Sequence, residues 1–151
     1  MDFSVIQKLN SVLHNEIPIT KSLGIRVNSY ENGVMTLVAP LSNNINHKCT
    51  AFGGSLYSIC VLTGWSLIYA KLNEQNSSPH IVIQKSNIDY RLPVAEEDIL
   101  ATCRFESNKQ VDKFLTVYQR KRVSRIKLTV EIRQSGALAV VFSGQYVIHS
   151  D

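Results

Sequence analysis

Asn43-Asn44-Ile45-Asn46-His47-Lys48-Cys49-Thr50-Ala51-Phe52-Gly53-Gly54-Ser55-Leu56-Tyr57 is the stretch on which the reading of this chain turns. A polar loop runs into a glycine pair, and the pair lies in a segment without a charged residue from Cys49 to Ala70. A helix that begins with Gly-Gly can bring bare backbone N–H groups against a ligand oxygen. The segment is also about the length of a membrane span. Gly53, Gly54, Ser55, Ser58, Thr63, Gly64 and Ser66 dilute its hydrophobicity, and alternating strand-like segments follow it. The expectation is therefore a helix enclosed by the rest of a soluble fold, with no membrane.

Working outward, Phe3, Ile6, Leu9, Val12 and Leu13 fall at helical spacing, which predicts a short amphipathic N-terminal helix ending before Pro18. Ile25, Val27 and Ser29 alternate with polar residues, Glu31-Asn32-Gly33 turns the chain, and Val34 to Ala39 returns, giving a hairpin. After the central helix, from Gly53 to about Leu72, turn residues fill Asn73 to Pro79. Ile81, Ile83, Ile88 and Tyr90 mark a third strand and Ile99 to Phe105 a fourth. Val111, Phe114, Leu115 and Tyr118 then read as a short inserted helix, with Arg120, Lys121 and Arg122 at the end that the helix dipole favours for cations. Ile126, Leu128, Val130 and Ile132 alternate strictly, and Ser135-Gly136 leads into a last strand from Ala137 to His149. An antiparallel sheet has one apolar face to cover, and a helix apolar all round has to be wrapped. The fold class is α+β, a curved antiparallel sheet around one long central helix.

Bulk composition agrees. At 151 residues, with 44% hydrophobic and 19% charged residues, the chain reads as one globular domain over 1–151. Cys49, Cys60 and Cys103 are odd in number and widely spaced, which argues against a disulfide framework or a zinc site and for a reducing, cytoplasmic setting. Met1-Asp2-Phe3-Ser4 lacks the basic start of a signal peptide. Of sixteen basic residues, seven lie between Lys109 and Lys127, so the net charge of +4 is concentrated in one region. That group is not interleaved with a run of aromatics and no nucleic-acid motif is present.

The order of elements, with Asn46-His47 leading into Phe52-Gly53-Gly54-Ser55 and with Asp89-Tyr90-Arg91-Leu92-Pro93-Val94, resembles the hotdog fold over nearly the whole chain. Asn46-His47-Lys48, Ala51-Phe52-Gly53-Gly54-Ser55-Leu56-Tyr57 and Thr63-Gly64-Trp65 look more narrowly like the putative-thioesterase domain that occurs alone or fused to an acetyltransferase domain. The resemblance implies homodimers that often assemble into tetramers. It also implies an acyl thioester of coenzyme A or acyl carrier protein as substrate, with no cofactor and no metal. Two departures stand out. Phe52 replaces the histidine that many relatives carry before the glycine pair. Val61 occupies the aligned place of a catalytic carboxylate, and no Asp or Glu occurs between Glu31 and Glu74.

Within that frame Gly53 and Gly54 form an oxyanion hole, or merely let the helix approach the sheet. Asn46 orients water, holds the thioester oxygen or binds a substrate carboxylate; the alternative is an Asn bound to its own turn. His47 is a general base or a solvated loop residue. Cys49 has no activating partner in the sequence and reads as packed rather than nucleophilic. Phe52, Ser55, Tyr57 and Trp65 line the acyl pocket or the core. Asp89 and Glu131 approach the site across the sheet or stay solvated on strand surfaces. Arg120, Arg122 and Arg125, with Lys109, Lys113, Lys121 and Lys127, dock phosphates or an acidic carrier, or form a solubilising face. Three functions compete: a thioesterase, a malonyl-acyl-carrier-protein decarboxylase supplying acetyl groups for fatty acid synthesis initiation, and a non-catalytic binding or dimerisation module. Thioester hydrolysis heads them.

Overall fold

The computed structural model describes residues 3–150, so the part of the N-terminal reading that falls on Met1 and Asp2 lies outside the described residues. The uncharged segment folds as helix α3, Gly53–Glu74. Ile59, Cys60, Thr63, Leu67 and Ile68 are all fully buried, so the helix is enclosed on more than one side. Its length and composition would allow a membrane crossing, yet 67% of its apolar window is buried inside the fold.

The wrapping is done by six strands: β1 (Arg26–Glu31), β2 (Val34–Pro40), β3 (His80–Tyr90), β4 (Asp98–Arg104), β5 (Val123–Gln134) and β6 (Ala137–His149). They form one sheet in the order β1-β2-β4-β5-β6-β3, antiparallel at every pairing. Alternation supplies its two faces. Ile126, Leu128, Val130 and Ile132 of β5 are buried, whereas Arg125, Lys127 and Thr129 are exposed. This is the hotdog arrangement, with β1 and β3 as the sheet edges.

Local chemistry sets the joins. Asn32 (φ 51°) and Gly33 (φ 73°) both take left-handed conformations, as a two-residue hairpin turn requires, and join β1 to β2. The N-terminal helix α1 spans Phe3–Glu16 and is followed by α2, Ile19–Leu23, which periodicity did not reveal. Helix α2 is held by tertiary capping: the Thr20 hydroxyl donates to the carbonyl of Leu13 at 2.8 Å. Helix α4, Asn108–Lys121, starts at Ser107, whose hydroxyl accepts from the Gln110 N–H. It also solves an edge problem. β4 pairs with β5 only at Val130 to Ile132, and α4 lies against the first half of β5, where Gln110 Nε2 donates to the Lys127 carbonyl at 2.7 Å.

Helix α3 is laced along β3. Tyr90 donates its hydroxyl to the Gly53 carbonyl at 2.9 Å, Tyr57 pairs with Ser86, and Trp65 Nε1 donates to the Ile81 carbonyl at 3.1 Å. The helix therefore runs from the Tyr90 end of β3 to its His80 end. Against β6, the fully buried Tyr146 donates to the Val61 carbonyl at 2.7 Å, and its ring fills the space a side chain at Gly64 would need. A Cβ there would lie 2.3 Å from the Tyr146 hydroxyl oxygen and 2.6 Å from its ring.

Helix propensity alone makes Gly64→Ala stabilising by about 1 kcal/mol. Overpacking against Tyr146 reverses the sign: the expected outcome is a loss of roughly 2 kcal/mol, read as a lower urea midpoint. An unchanged or raised midpoint would show that Tyr146 does not set the helix–sheet distance.

Candidate active site

The start of α3 is chemically bare. Phe52 precedes the first turn with extended backbone, and no side chain caps the helix. The Phe52 N–H donates to the Asn44 carbonyl at 2.7 Å, and the Phe52 carbonyl accepts from Leu56. Among the described residues none accepts from the N–H groups of Gly53, Gly54 or Ser55. These are the orphan donors of a helix N-terminus, at its positive end, and no acidic residue in the first turn competes for them. Gly54 lets the Phe52 ring lie against the helix start: a Cβ would sit 2.5 Å from that ring, which is 57% exposed and would have to swing aside. Beside this turn lies a cavity of about 330 Å³, lined by Thr50, Ala51, Gly53, Leu56, Tyr90 and the strap from Arg91 to Val94. The strap is fastened to the loop by the Ala51 N–H, which donates to the Val94 carbonyl at 2.7 Å. Burial, then the neighbouring Cys60 and Tyr57, hold the Tyr90 phenol above its ordinary pKa, so it stays a donor to Gly53.

The loop before the helix is internally closed. Asn46 Oδ1 accepts from the N–H groups of Lys48 (2.8 Å) and Thr50 (3.2 Å), and Asn46 Nδ2 donates to the Thr50 hydroxyl at 2.9 Å. In this chain Asn46 thus binds its own turn, and it fixes Thr50 at the cavity wall. Neither Asn46 nor His47 lines the cavity. His47, Lys48 and Cys49 are exposed at the loop tip. A second asparagine anchors the loop to the fold: Asn44, 2% exposed, donates to the carbonyls of Leu23 and Pro40, both at 2.8 Å. Sequence reasoning passed over Asn44, Thr50 and Tyr90. The signal for Tyr90 was present in a strand ending at an Arg-Leu-Pro strap that had to turn back over the helix start.

The other candidates are distributed along the helix and beyond. Ser55 is buried, and Tyr57 sets its ring edge-on to Phe142 at 5.7 Å. Trp65 stacks on Tyr69 at 5.4 Å and lines a separate cavity of about 710 Å³ against α1. It sits twelve residues beyond Gly53, about 18 Å along the axis, and so is not part of the helix-start cavity. Asp89 and Glu131 lie on the outer face of the sheet. Tyr90 and Ile88 point inward beside Asp89, and Val130 and Ile132 are fully buried beside Glu131. Each carboxylate is paired locally, Asp89 with Arg91 at 2.9 Å and Glu131 with Arg133 at 3.3 Å. Among the described residues no group of His, Cys, Asp and Glu is placed to hold a metal. The basic group divides. Arg125 joins Lys113, Lys121 and Lys127 in a groove between α4 and β5, whereas Arg120 and Arg122 do not line it. Arg122 closes α4 in a left-handed conformation, its guanidinium over the Tyr118 ring at 5.4 Å.

The family described as putative thioesterase (yiiD C-terminal) matches residues 6–150. A protein of unknown function from Chlorobaculum tepidum superposes with a TM-score of 0.93 at 33% identity, over 97% of this chain and 95% of that one. A putative thioesterase from Shewanella oneidensis superposes with a TM-score of 0.89 at 31% identity, over 99% of this chain and 100% of that one. The PaaI protein of the phenylacetic acid degradation operon of E. coli shares the fold at a TM-score of 0.67 and 14% identity, over 98% and 95% of the two chains.

The three thiols are free and differ in access: Cys49 is exposed, Cys60 and Cys103 are buried. Burial pushes both interior thiols up, Cys103 to about 12 against a smaller opposing pull from Arg104. At pH 8 an aromatic disulfide reagent should release one thiol equivalent rapidly from the folded protein and two more only on unfolding. Rapid release of all three would show an interior far more open than the structure.

Proposed function

This chain belongs to the putative thioesterase (yiiD C-terminal) family, and we propose that it hydrolyses acyl thioesters of coenzyme A or acyl carrier protein at the start of α3. The observation that carries this reading is the uncapped Gly53-Gly54-Ser55 turn beside a solvent-open cavity. A thioester carbonyl placed against those N–H groups gains negative charge on oxygen as water attacks its carbon. The donors stabilise that charge without rearranging, and each is typically worth about 3 kcal/mol of barrier. Collapse of the tetrahedral intermediate breaks the C–S bond; the carboxylic acid and the thiol leave, the thiol sulfur taking a proton. Thr50 and Tyr90 shape the entrance, and Asn46 positions Thr50 through the loop. His47, at the exposed loop tip and outside the cavity lining, is the candidate for accepting the water proton and would have to turn inward to do so.

Dimerisation through β3 belongs to the same reading. β3 is an eleven-residue edge strand. Beside it Tyr57, Val61, Trp65 and Tyr69 form a half-buried stripe at four-residue spacing on α3, so a second copy would cover both. A reducing, cytoplasmic setting is supported by the three free thiols.

Decarboxylation of a malonyl thioester is the second reading, and one observation favours it: α3 carries no carboxylate before Glu74, while Asp89 and Glu131 face away. Here the C–C bond to the carboxylate breaks, its electron pair moves into an enolate oxygen held by the helix N–H groups, and the α-carbon is then protonated. No water-activating acid or base is needed. Arg91, at the cavity wall, is the cation that would receive the malonyl carboxylate, exchanging its Asp89 partner for it.

A panel of acyl-coenzyme A and acyl-carrier-protein thioesters, malonyl included, decides between them when thiol and carbon dioxide are followed separately. Thiol release without carbon dioxide is the expected result; acetyl thioester with carbon dioxide establishes the second reading. Silence with tight binding leaves a binding module. Gly54→Ala should lower kcat roughly tenfold or more by displacing Phe52 or the helix start, with the melting temperature nearly unchanged. A fully active Gly54→Ala enzyme would remove the helix start from the mechanism.

A further inference from the structure

Between α4 and the first half of β5 runs a groove of about 420 Å³ whose walls are cationic. Lys113 and Lys121 project from α4, Arg125 and Lys127 from β5, and Phe114, Val117 and Ile126 form the floor. No carboxylate lines it. Among the described residues none of the four cations has an ion-pair partner, and Arg125 makes only a 3.4 Å contact to Gln84 Oε1. All four side chains are exposed. Uncompensated positive charge of this density is unfavourable by itself and attracts an anionic partner.

The arrangement of the charges selects the kind of partner. A phosphate site gathers donors on one point, through a helix start or a bidentate Arg. Here the cations are strung out. Lys113 and Lys121 stand eight residues apart on one helix, about 12 Å, and Arg125 and Lys127 follow the same face of a strand about 7 Å apart. Two parallel cationic rows over an apolar floor complement an amphipathic helix with acidic side chains at three- and four-residue spacing. Position agrees. Arg125 is in register with Val147, and Val147 with Val82, so the groove lies at the His80 end of the sheet. The helix start lies at the Tyr90 end, on the order of 25 Å away along the strands, a separation on the scale of a protein footprint.

We propose that the α4–β5 groove docks an acidic helix of a carrier protein, which presents the acyl thioester on its own flexible arm. This rests on the acyl-thioester reading above and names the form in which the substrate arrives. The docking residues are Lys113, Lys121, Arg125 and Lys127; Arg120 and Arg122 lie outside the groove.

The test is the double variant Lys113→Glu/Lys127→Glu, with wild-type circular dichroism as its entry condition. The same acyl group is offered on a holo carrier protein and on coenzyme A. The expected result is a loss of about tenfold or more in kcat/KM for the carrier thioester, carried by KM and diminishing at high salt, with the coenzyme A thioester within about twofold. An equal loss on coenzyme A would overturn the proposal in favour of a nucleotide phosphate site, and an unchanged carrier reaction would overturn it outright. If the wild-type protein turns over neither thioester, the acyl-thioester reading fails. Fluorescence anisotropy of labelled holo carrier protein then still reads the docking: weaker binding to the variant supports the groove, and equal binding overturns it.

Discussion

A helix without charge through Ala70 must have every side occupied, and this chain follows from that demand. The curved sheet occupies most of the circumference. Gly64 lets Tyr146 close against the helix, and the Tyr146 hydroxyl turns a buried polar group into a tie to Val61. One stripe is left only half-covered: Tyr57, Val61, Trp65 and Tyr69, facing the open edge of β3. The orphan N–H groups of Gly53, Gly54 and Ser55 stand at the head of that stripe. Enclosure of an apolar helix thus ends where its uncapped N–H groups begin. Packing and proposed chemistry share one boundary.

Much of the fold was legible because its signals are local. Strict alternation in β5, the Asn-Gly and Ser-Gly turns, and the charge-free run each encode an element within a few residues. Helix α2 was not legible. It is a five-residue turn whose stability comes from contacts such as Thr20 to Leu13, which no periodicity records. The place of the candidate site was visible in the glycine pair, but its membership was not. Whether Asn46 faces a ligand or its own turn depends on the path of four residues, and the chain resolves it towards the turn. Trp65 lies twelve residues along α3 from Gly53, about 18 Å, and Arg125 lies on β5, distances that a linear reading does not record.

The absence of a carboxylate from α3 before Glu74 carries chemical meaning because the groups at the helix start act on one kind of charge. Backbone N–H groups stabilise an oxyanion whatever bond change produced it. A tetrahedral alkoxide and an enolate oxygen are alike from their side. What distinguishes hydrolysis from decarboxylation is the treatment of water, and water is handled by groups outside the helix start. The loop tip carrying His47 is exposed, and the cavity wall carries Arg91 rather than an acid. Reaction identity therefore turns on the loop and strap.

The inserted helix α4 shows how a structural repair can create a surface. β4 is too short to pair with the first half of β5, which leaves unpaired backbone on a strand inside the sheet order. An exposed edge of that kind invites strand addition by another chain, and lysines along it discourage such pairing. Helix α4 covers the edge with Phe114, Val117 and the Gln110 contact to Lys127, while its outer face stays free to be charged. Edge protection alone explains one or two lysines. It does not explain two facing cationic rows without a single carboxylate between them, since neutral or mixed-charge residues would protect as well and repel less. The excess is the part of the sequence that the fold does not require, and a partner of opposite charge accounts for it.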